Sequence, residues 1–356
     1  MRIQIAALCL GLVLILIAFG SWGFGRNNSA TSEDISVTIG KFGASISGTN
    51  AKWWGGVRGP NGKIYGVPFA ANDILVIDPV ANTAISSTMG ANLSGTSKWA
   101  SGCLGPDGKI YCVPYNAPDV LVIDPIAGTA VRTDFGLELT DPAKWAGAVL
   151  GADNKIYAIP RTSTNILIID PVSGTAKRSP MGVDLSGSDK WSGGILASNG
   201  KIYGVPRSSQ DILIIDPASG TATRSKMGAA LTSSHKYADG ILAPNGKIYA
   251  IPYTDSPAIL IIDPVANTAS LSTMGANLSG SGWSEAILGP DNKIYTVPYT
   301  ASNILVIDPV AGIAYRRSIY GVESTSLGKW VMGDIVKNKF YGMPYTSEDI
   351  ILVELF

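Results

Sequence analysis

From residue 34 onward the chain is a train of short apolar runs, each closed by Gly, Pro, Asn or Asp. In one stretch Trp145 to Leu150 is followed by Lys155 to Ile159 with Pro160 behind it. Ile166 to Ile169 comes next, closed by Asp170-Pro171, and then the more polar Thr175 to Met181. Runs this short, rich in β-branched and aromatic residues and bounded by turn formers, predict strands. No segment beyond the N-terminus sustains an apolar stripe at helical spacing, so the domain is expected to be all-β. The four-run unit recurs. A Lys-Trp pair or a variant of it stands at Lys52-Trp53, Lys98-Trp99, Lys144-Trp145, Lys190-Trp191, Lys236-Tyr237, Gly282-Trp283 and Lys329-Trp330, spaced 46 residues five times and then 47. Four strands in a unit of that length make one propeller blade.

The punctuation fits hairpins. Pro60-Asn61-Gly62, Pro106-Asp107-Gly108 and Pro244-Asn245-Gly246 put Pro where φ near −65° is wanted and Gly where φ turns positive. Proline cannot donate to a ladder and belongs at strand ends. Thirteen of the 21 prolines accordingly occupy two repeat positions, after the second strand and after the third. The seventh unit stops in its third strand, Ile350 to Phe356, while Asp34 to Gly43 reads as a fourth strand ahead of the first Lys-Trp pair. An N-terminal strand that completes the last blade would close the ring and remove its exposed edges. The expectation is one seven-bladed β-propeller of four-stranded blades over residues 34–356.

Segments such as Ala243 to Tyr249 followed by Ile259 to Pro264 resemble the YVTN-type repeats of bacterial surface and periplasmic propellers, whose pattern is SPDGK-x-(L/V)YV-x-N … V-x-VID. The resemblance covers all seven units. Here Pro replaces the family's Asn after the second strand, and Lys-Trp marks the entry to each blade. The resemblance implies the fold, and no single activity, because propellers host binding scaffolds, lyases, lactonases and dehydrogenases.

Ahead of the repeats, Arg2 leads into an apolar stretch from Ile5 to Phe19. Two readings of residues 1–25 stay open. Ala18-Phe19-Gly20 supplies small residues for cleavage of a signal peptide. Extended to Phe24, the run approaches the roughly 20 residues of an N-terminal membrane anchor. Residues 26–33 form a polar tether. Either way the propeller is expected outside the cytoplasm, secreted, periplasmic or at the cell surface, with membrane contact through this segment alone. Charges balance at 27 against 27, which argues against a nucleic-acid partner. The expected partner is a protein, peptide or glycan, and the expected state a monomer. Cys103 and Cys112 fall on the first two strands of blade two. Pro106 lacks the N–H of a tight two-residue hairpin, so a Pro-Asp-Gly turn with a bulge is expected, with buried free thiols on opposite faces.

In a propeller, the loops entering each blade and those joining its second and third strands share one face. That places the Lys-Trp pairs, Lys98 and Trp99, Lys144 and Trp145, Lys190 and Trp191 among them, beside the residues after the repeated proline: Phe69, Tyr115, Arg161, Arg207, Tyr253, Tyr299 and Tyr345. Aromatic platforms with cationic heads suit a sugar, an acidic glycan or a peptide carboxylate. The competing reading makes the Trp blade-to-blade packing and the Lys a solvated neighbour. Asymmetry adds Asp239 and Glu285, two positions after the entry aromatic where most units hold Gly or Ser, and Asp334, where most others hold Val or Ile. Their carboxylates could hold Ca²⁺ or act as an acid–base pair. No other cofactor is indicated. The chain lacks a Gly-x-Ser-x-Gly elbow, a His-Glu-x-x-His and a Cys-x-x-Cys, and its one histidine is His235. The leading expectation is a non-catalytic binding scaffold using its Lys/Trp/Tyr-lined face; the alternative is a metal-assisted hydrolase or lyase built on the three carboxylates.

Overall fold

The computed structural model describes residues 35–48, 50–254, 256–279, 282–319, 322 and 328–355. The expected leader and tether, residues 1–33, lie outside the described residues. β1 (Ile35–Gly40) is followed by β2 (Trp53–Arg58), β3 (Ile64–Pro68), β4 (Ile74–Asp78) and β5 (Thr83–Ser87), which form the first blade as an antiparallel meander. Five further four-stranded sheets repeat that order. The seventh holds Trp330–Val336, Lys339–Pro344 and Ile350–Leu355, with β1 as its outer strand. β1 runs antiparallel to the last strand from the pair Ile35–Leu355 to the pair Gly40–Ile350. The seven-bladed ring and its closure are therefore as the repeat implies.

Burial follows strand rank. β3 is buried at all five positions and β4 at four, because each is covered on both sides by neighbouring blades. β5, outermost, buries Ala84 and exposes the residues on either side of it. The core is divided among the seams between blades. At one seam Tyr65, Val67 and Ile74 pack on Trp99, Ile110 and Leu121; at the closing seam Trp53, Ile64 and Leu75 pack on Tyr341, Met343 and Ile350. Each entry Trp is buried and donates its indole N–H to a main-chain carbonyl of its own blade, as Trp145 does to Asn165 at 2.8 Å.

One local expectation changes. The blade-two hairpin is a five-residue loop closed by the Gly105 N–H to the Lys109 carbonyl at 2.8 Å, and the bulge lies at the other end of the strand, between Trp99 and Gly102. The reason is crowding around the axis: a Cβ on Gly55 would stand 3.2 Å from the Ser101 Cα, and one on Gly147 would stand 2.7 Å from the Gly193 Cα. The inner strands bulge where they approach most closely. Cys112 faces Gly102 across the ladder, so Cys103, one residue on, points to the opposite side. Both thiols are free; Cys112 is buried and Cys103 half-buried. Burial pushes the Cys103 thiol up to about 12.

Candidate functional site

The main chain prepares the site. The Lys98 N–H donates to the Phe69 carbonyl of blade one (2.8 Å), and the Tyr115 N–H donates back to the Lys98 carbonyl (2.8 Å). The same stitch joins Tyr115 to Lys144, Arg161 to Lys190, Arg207 to Lys236, Tyr299 to Lys329 and Tyr345 to Lys52. Residues following the repeated proline are thus pinned at the seams, with their side chains turned to the axis.

Those side chains form a closed circuit. Phe69 meets Tyr115 at 5.4 Å between ring centroids, and the Arg161 guanidinium lies 5.3 Å from the Tyr115 ring. Arg161 and Arg207 share the Asp189 carboxylate through their Nε atoms, at 2.6 and 3.1 Å. Arg207 sits 4.6 Å over Tyr253, and the aromatic chain continues from Tyr253 to Tyr299 at 5.2 Å and to Tyr345 at 5.7 Å, returning to Phe69 at 6.3 Å. Asp189 also accepts from the Ser208 hydroxyl and pairs with the His235 Nε2, both at 3.2 Å. Burial, reinforced by neighbouring tyrosines, pushes the Tyr299 phenol well above its ordinary range and Tyr345 up to about 12.

Trp54 fills the centre. It contacts Phe69 at 5.0 Å, Tyr345 at 5.6 Å and Tyr115 at 6.2 Å, with Arg161 5.9 Å from its ring. The position after the entry aromatic otherwise carries Ala100, Ala146, Ser192, Ala238, Ser284 or Val331, so Trp54 is the one bulky side chain there. What remains beneath the ring is a cavity of about 20 Å³, the size of a single water, bordered by Arg207, Glu285, Ser192 and the tyrosines.

The expected Lys/Trp/Tyr face separates into two layers. Tyr115, Arg161, Arg207, Tyr253, Tyr299 and Tyr345 come together on the axis; the Lys-Trp pairs do not join them. Trp99, Trp145 and Trp191 are wholly buried. Lys98 gives its ammonium to the carbonyls of Phe69 (3.1 Å), Ala71 (2.8 Å) and Gly95 (2.7 Å); Lys190 treats Arg161, Ser163 and Gly187 alike, and Lys144 holds Tyr115, Ala117 and Asp141. Desolvation lowers each of these three lysines to about 8. They are fold-internal donors between adjacent blades, neither solvated neighbours nor ligand-facing heads.

Of the three carboxylates expected to share a metal, Asp334 stands away from Glu285. Asp239 lies against Gly193 of the preceding blade and accepts the Gly240 N–H at 2.8 Å; burial pushes it up to about 7. Glu285 is buried beside the small cavity under the ring. Asp334 borders a different cavity at the other end of the channel. Among the described residues, no three His, Cys, Asp or Glu side chains gather into a metal-holding group. Gly55, Ser101, Gly147 and Gly193 take φ values of 98°, 72°, 103° and 74° at the bulge, whereas Asp239 and Glu285 sit outside that left-handed region.

At the far mouth, seven equivalent inner-strand positions are Val57, Cys103, Val149, Ile195, Ile241, Ile287 and Asp334. Five of them border a cavity of about 450 Å³. It lies three residues along the strand from Trp54, about 10 Å at the usual rise.

Sequence reading missed Trp54, Asp189 and their roles. Signals existed for both. Trp54 breaks a run of small residues, and the position before each entry Lys turns ionisable only in blades four and five, as Asp189 and His235.

The fold and site define a seven-bladed β-propeller whose axis is stoppered on one face by an aromatic and arginine ring. No family model matches the sequence, and no curated protein matches it. Among solved structures it is similar to the virginiamycin B lyase of Staphylococcus aureus, at 12% identity and TM-score 0.71 over 91% of this chain and 100% of that one. It is similar to the hydrazine synthase of Kuenenia stuttgartiensis, at 13% identity and TM-score 0.64 over 87% and 97% of the two chains. The extracellular domain of a hybrid two component system from B. thetaiotaomicron aligns at 12% identity and TM-score 0.64, over 90% of this chain and 43% of that one. At such identities the likeness concerns the fold.

Proposed function

We propose that this protein is an extracytoplasmic, non-catalytic binding propeller that holds a carboxylate-bearing ligand, a peptide end or an acidic glycan, on its stoppered face. The observation that carries this reading is the ring itself. Two guanidiniums share one carboxylate there, and aromatic faces surround them. The two guanidiniums offer donors that an incoming carboxylate can share while apolar or sugar faces stack on Trp54 and the tyrosines. The apolar leader-like stretch supports a place outside the cytoplasm, secreted, periplasmic or on the cell surface, as does the similarity to an extracellular sensor domain. One structural neighbour is a lyase, but the metal-assisted alternative for this chain gains no support from carboxylates of which Glu285 and Asp334 border different cavities.

The test is a peptide and glycan array probed with the full chain and with Arg161→Gln and Tyr299→Ala. Carboxylate-bearing ligands should be enriched and lost in both variants. Ligands retained by both would place binding elsewhere, and an array without binders would reject the proposal.

A further inference from the structure

We propose that the opposite mouth of the channel is a second binding site, one that takes a small organic cation: an amine or guanidine carried on a compact apolar body. The cavity there measures about 450 Å³, within the range of pockets that enclose small ligands, roughly 300–1,000 Å³. Its walls are glycines, Val57, Cys103 and Leu104 on one side, and Ile241, Ala286 and the Ile287–Leu288 pair on the other; Asp334 is the only lining residue with a formal charge. An apolar pocket with one oriented polar group binds an apolar body and fixes its charged end.

Asp334 is held ready for this. Its Oδ2 accepts the Arg58 N–H at 3.1 Å across the closing seam and its Oδ1 accepts the Ile335 N–H at 2.6 Å, so the carboxylate is locked while each oxygen keeps a lone pair. Burial pushes its pKa upward against those two bonds, and the Arg58 side chain, exposed to solvent, opposes burial least. A carboxylate in apolar surroundings gains most from a cation placed beside it. The repeat shows that the fold does not require it, since the six sister positions are apolar or a thiol. A metal ion is a poor fit, because hard cations need several oxygen ligands and the walls supply one carboxylate. An anion would meet that carboxylate unshielded.

Calorimetric titration of the full chain with 1-aminoadamantane and with 1-adamantanol, the same body without the charge, tests the site. The amine should bind at least tenfold more tightly than the alcohol. Asp334→Asn should weaken the amine at least tenfold and leave the alcohol unchanged. Asp334→Val installs a residue the sister blades already accommodate, so it should fold and lose the preference for the amine. Ile287→Trp, which fills the cavity, should lose both ligands, whereas Arg161→Gln should lose neither. Equal affinity for amine and alcohol, undiminished amine binding in Asp334→Val, or no binding of either compound would each overturn the proposal.

Discussion

Replacing Asp189 by asparagine removes one negative charge and almost no volume from the centre of the ring. Arg161 and Arg207 have side chains 11% and 8% exposed, and both Nε atoms lie within ion-pair distance of this carboxylate, which is itself 24% exposed. At such separations each charge pair is attractive by about 4 kcal/mol at an effective dielectric of 20, before desolvation takes back most of it. Breaking a buried pair leaves an uncompensated charge and costs about 3–5 kcal/mol; with a quarter-exposed carboxylate, about 2–4 kcal/mol is expected for Asp189→Asn. The amide's NH₂ donors add to the loss, since they face guanidinium N–H groups that also only donate. Urea unfolding at fixed pH, with an unchanged slope, measures this directly. Ligand affinity should move the other way. With Asp189 neutralised, the two guanidiniums lose an anion that competes with ligand, so an anionic ligand should bind the less stable variant more tightly, and sulfate should stabilise the variant more than the parent. A stability loss under about 0.5 kcal/mol, or anion affinity that falls together with stability, would refute the claim that one carboxylate holds two arginines in competition with ligand.

Other consequences are equally accessible. A Cβ at Gly193 would overlap the Asp239 carboxylate and would sit at φ +74°, so Gly193→Ala should destabilise by about 2–4 kcal/mol. Adding Asp239→Ala should recover part of that, and strict additivity in the double-mutant cycle would show the two do not touch. Asp239 keeps its proton to about pH 7 when folded and to about 3.8 when unfolded, so the folded state holds more protons in that window. Its contribution to stability is therefore present near pH 4, is lost as pH rises to about 7, and is level above that; Asp239→Asn should flatten this part of the profile. Trp54→Ala should cost about 3 kcal/mol and enlarge the small cavity under the ring; thermal melting and array binding measured together would separate a stopper from a ligand platform, since only the platform loses binding at temperatures where the fold is intact.

Much of this molecule was legible in its sequence because the determinants are local. Run length and turn chemistry identify strands, a 46-residue period counts the blades, and a spare fourth strand at residues 34–43 announces the closure seen between β1 and the last strand. The ring positions were legible too, because a residue that always follows the same proline occupies the same place in each blade. What the tertiary structure decided is where equivalent residues point and what surrounds them. Lys98 looks like a solvent-facing head in sequence and becomes a buried donor to three carbonyls only when two blades supply them. Asp239, Glu285 and Asp334 look like one acidic group, yet Glu285 and Asp334 end at different cavities, and no local pattern encodes how closely the next strand approaches. Periodicity is a property of neighbours along the chain; the meeting of Arg161, Asp189, Arg207 and Trp54 is a property of blades that pack around a common axis.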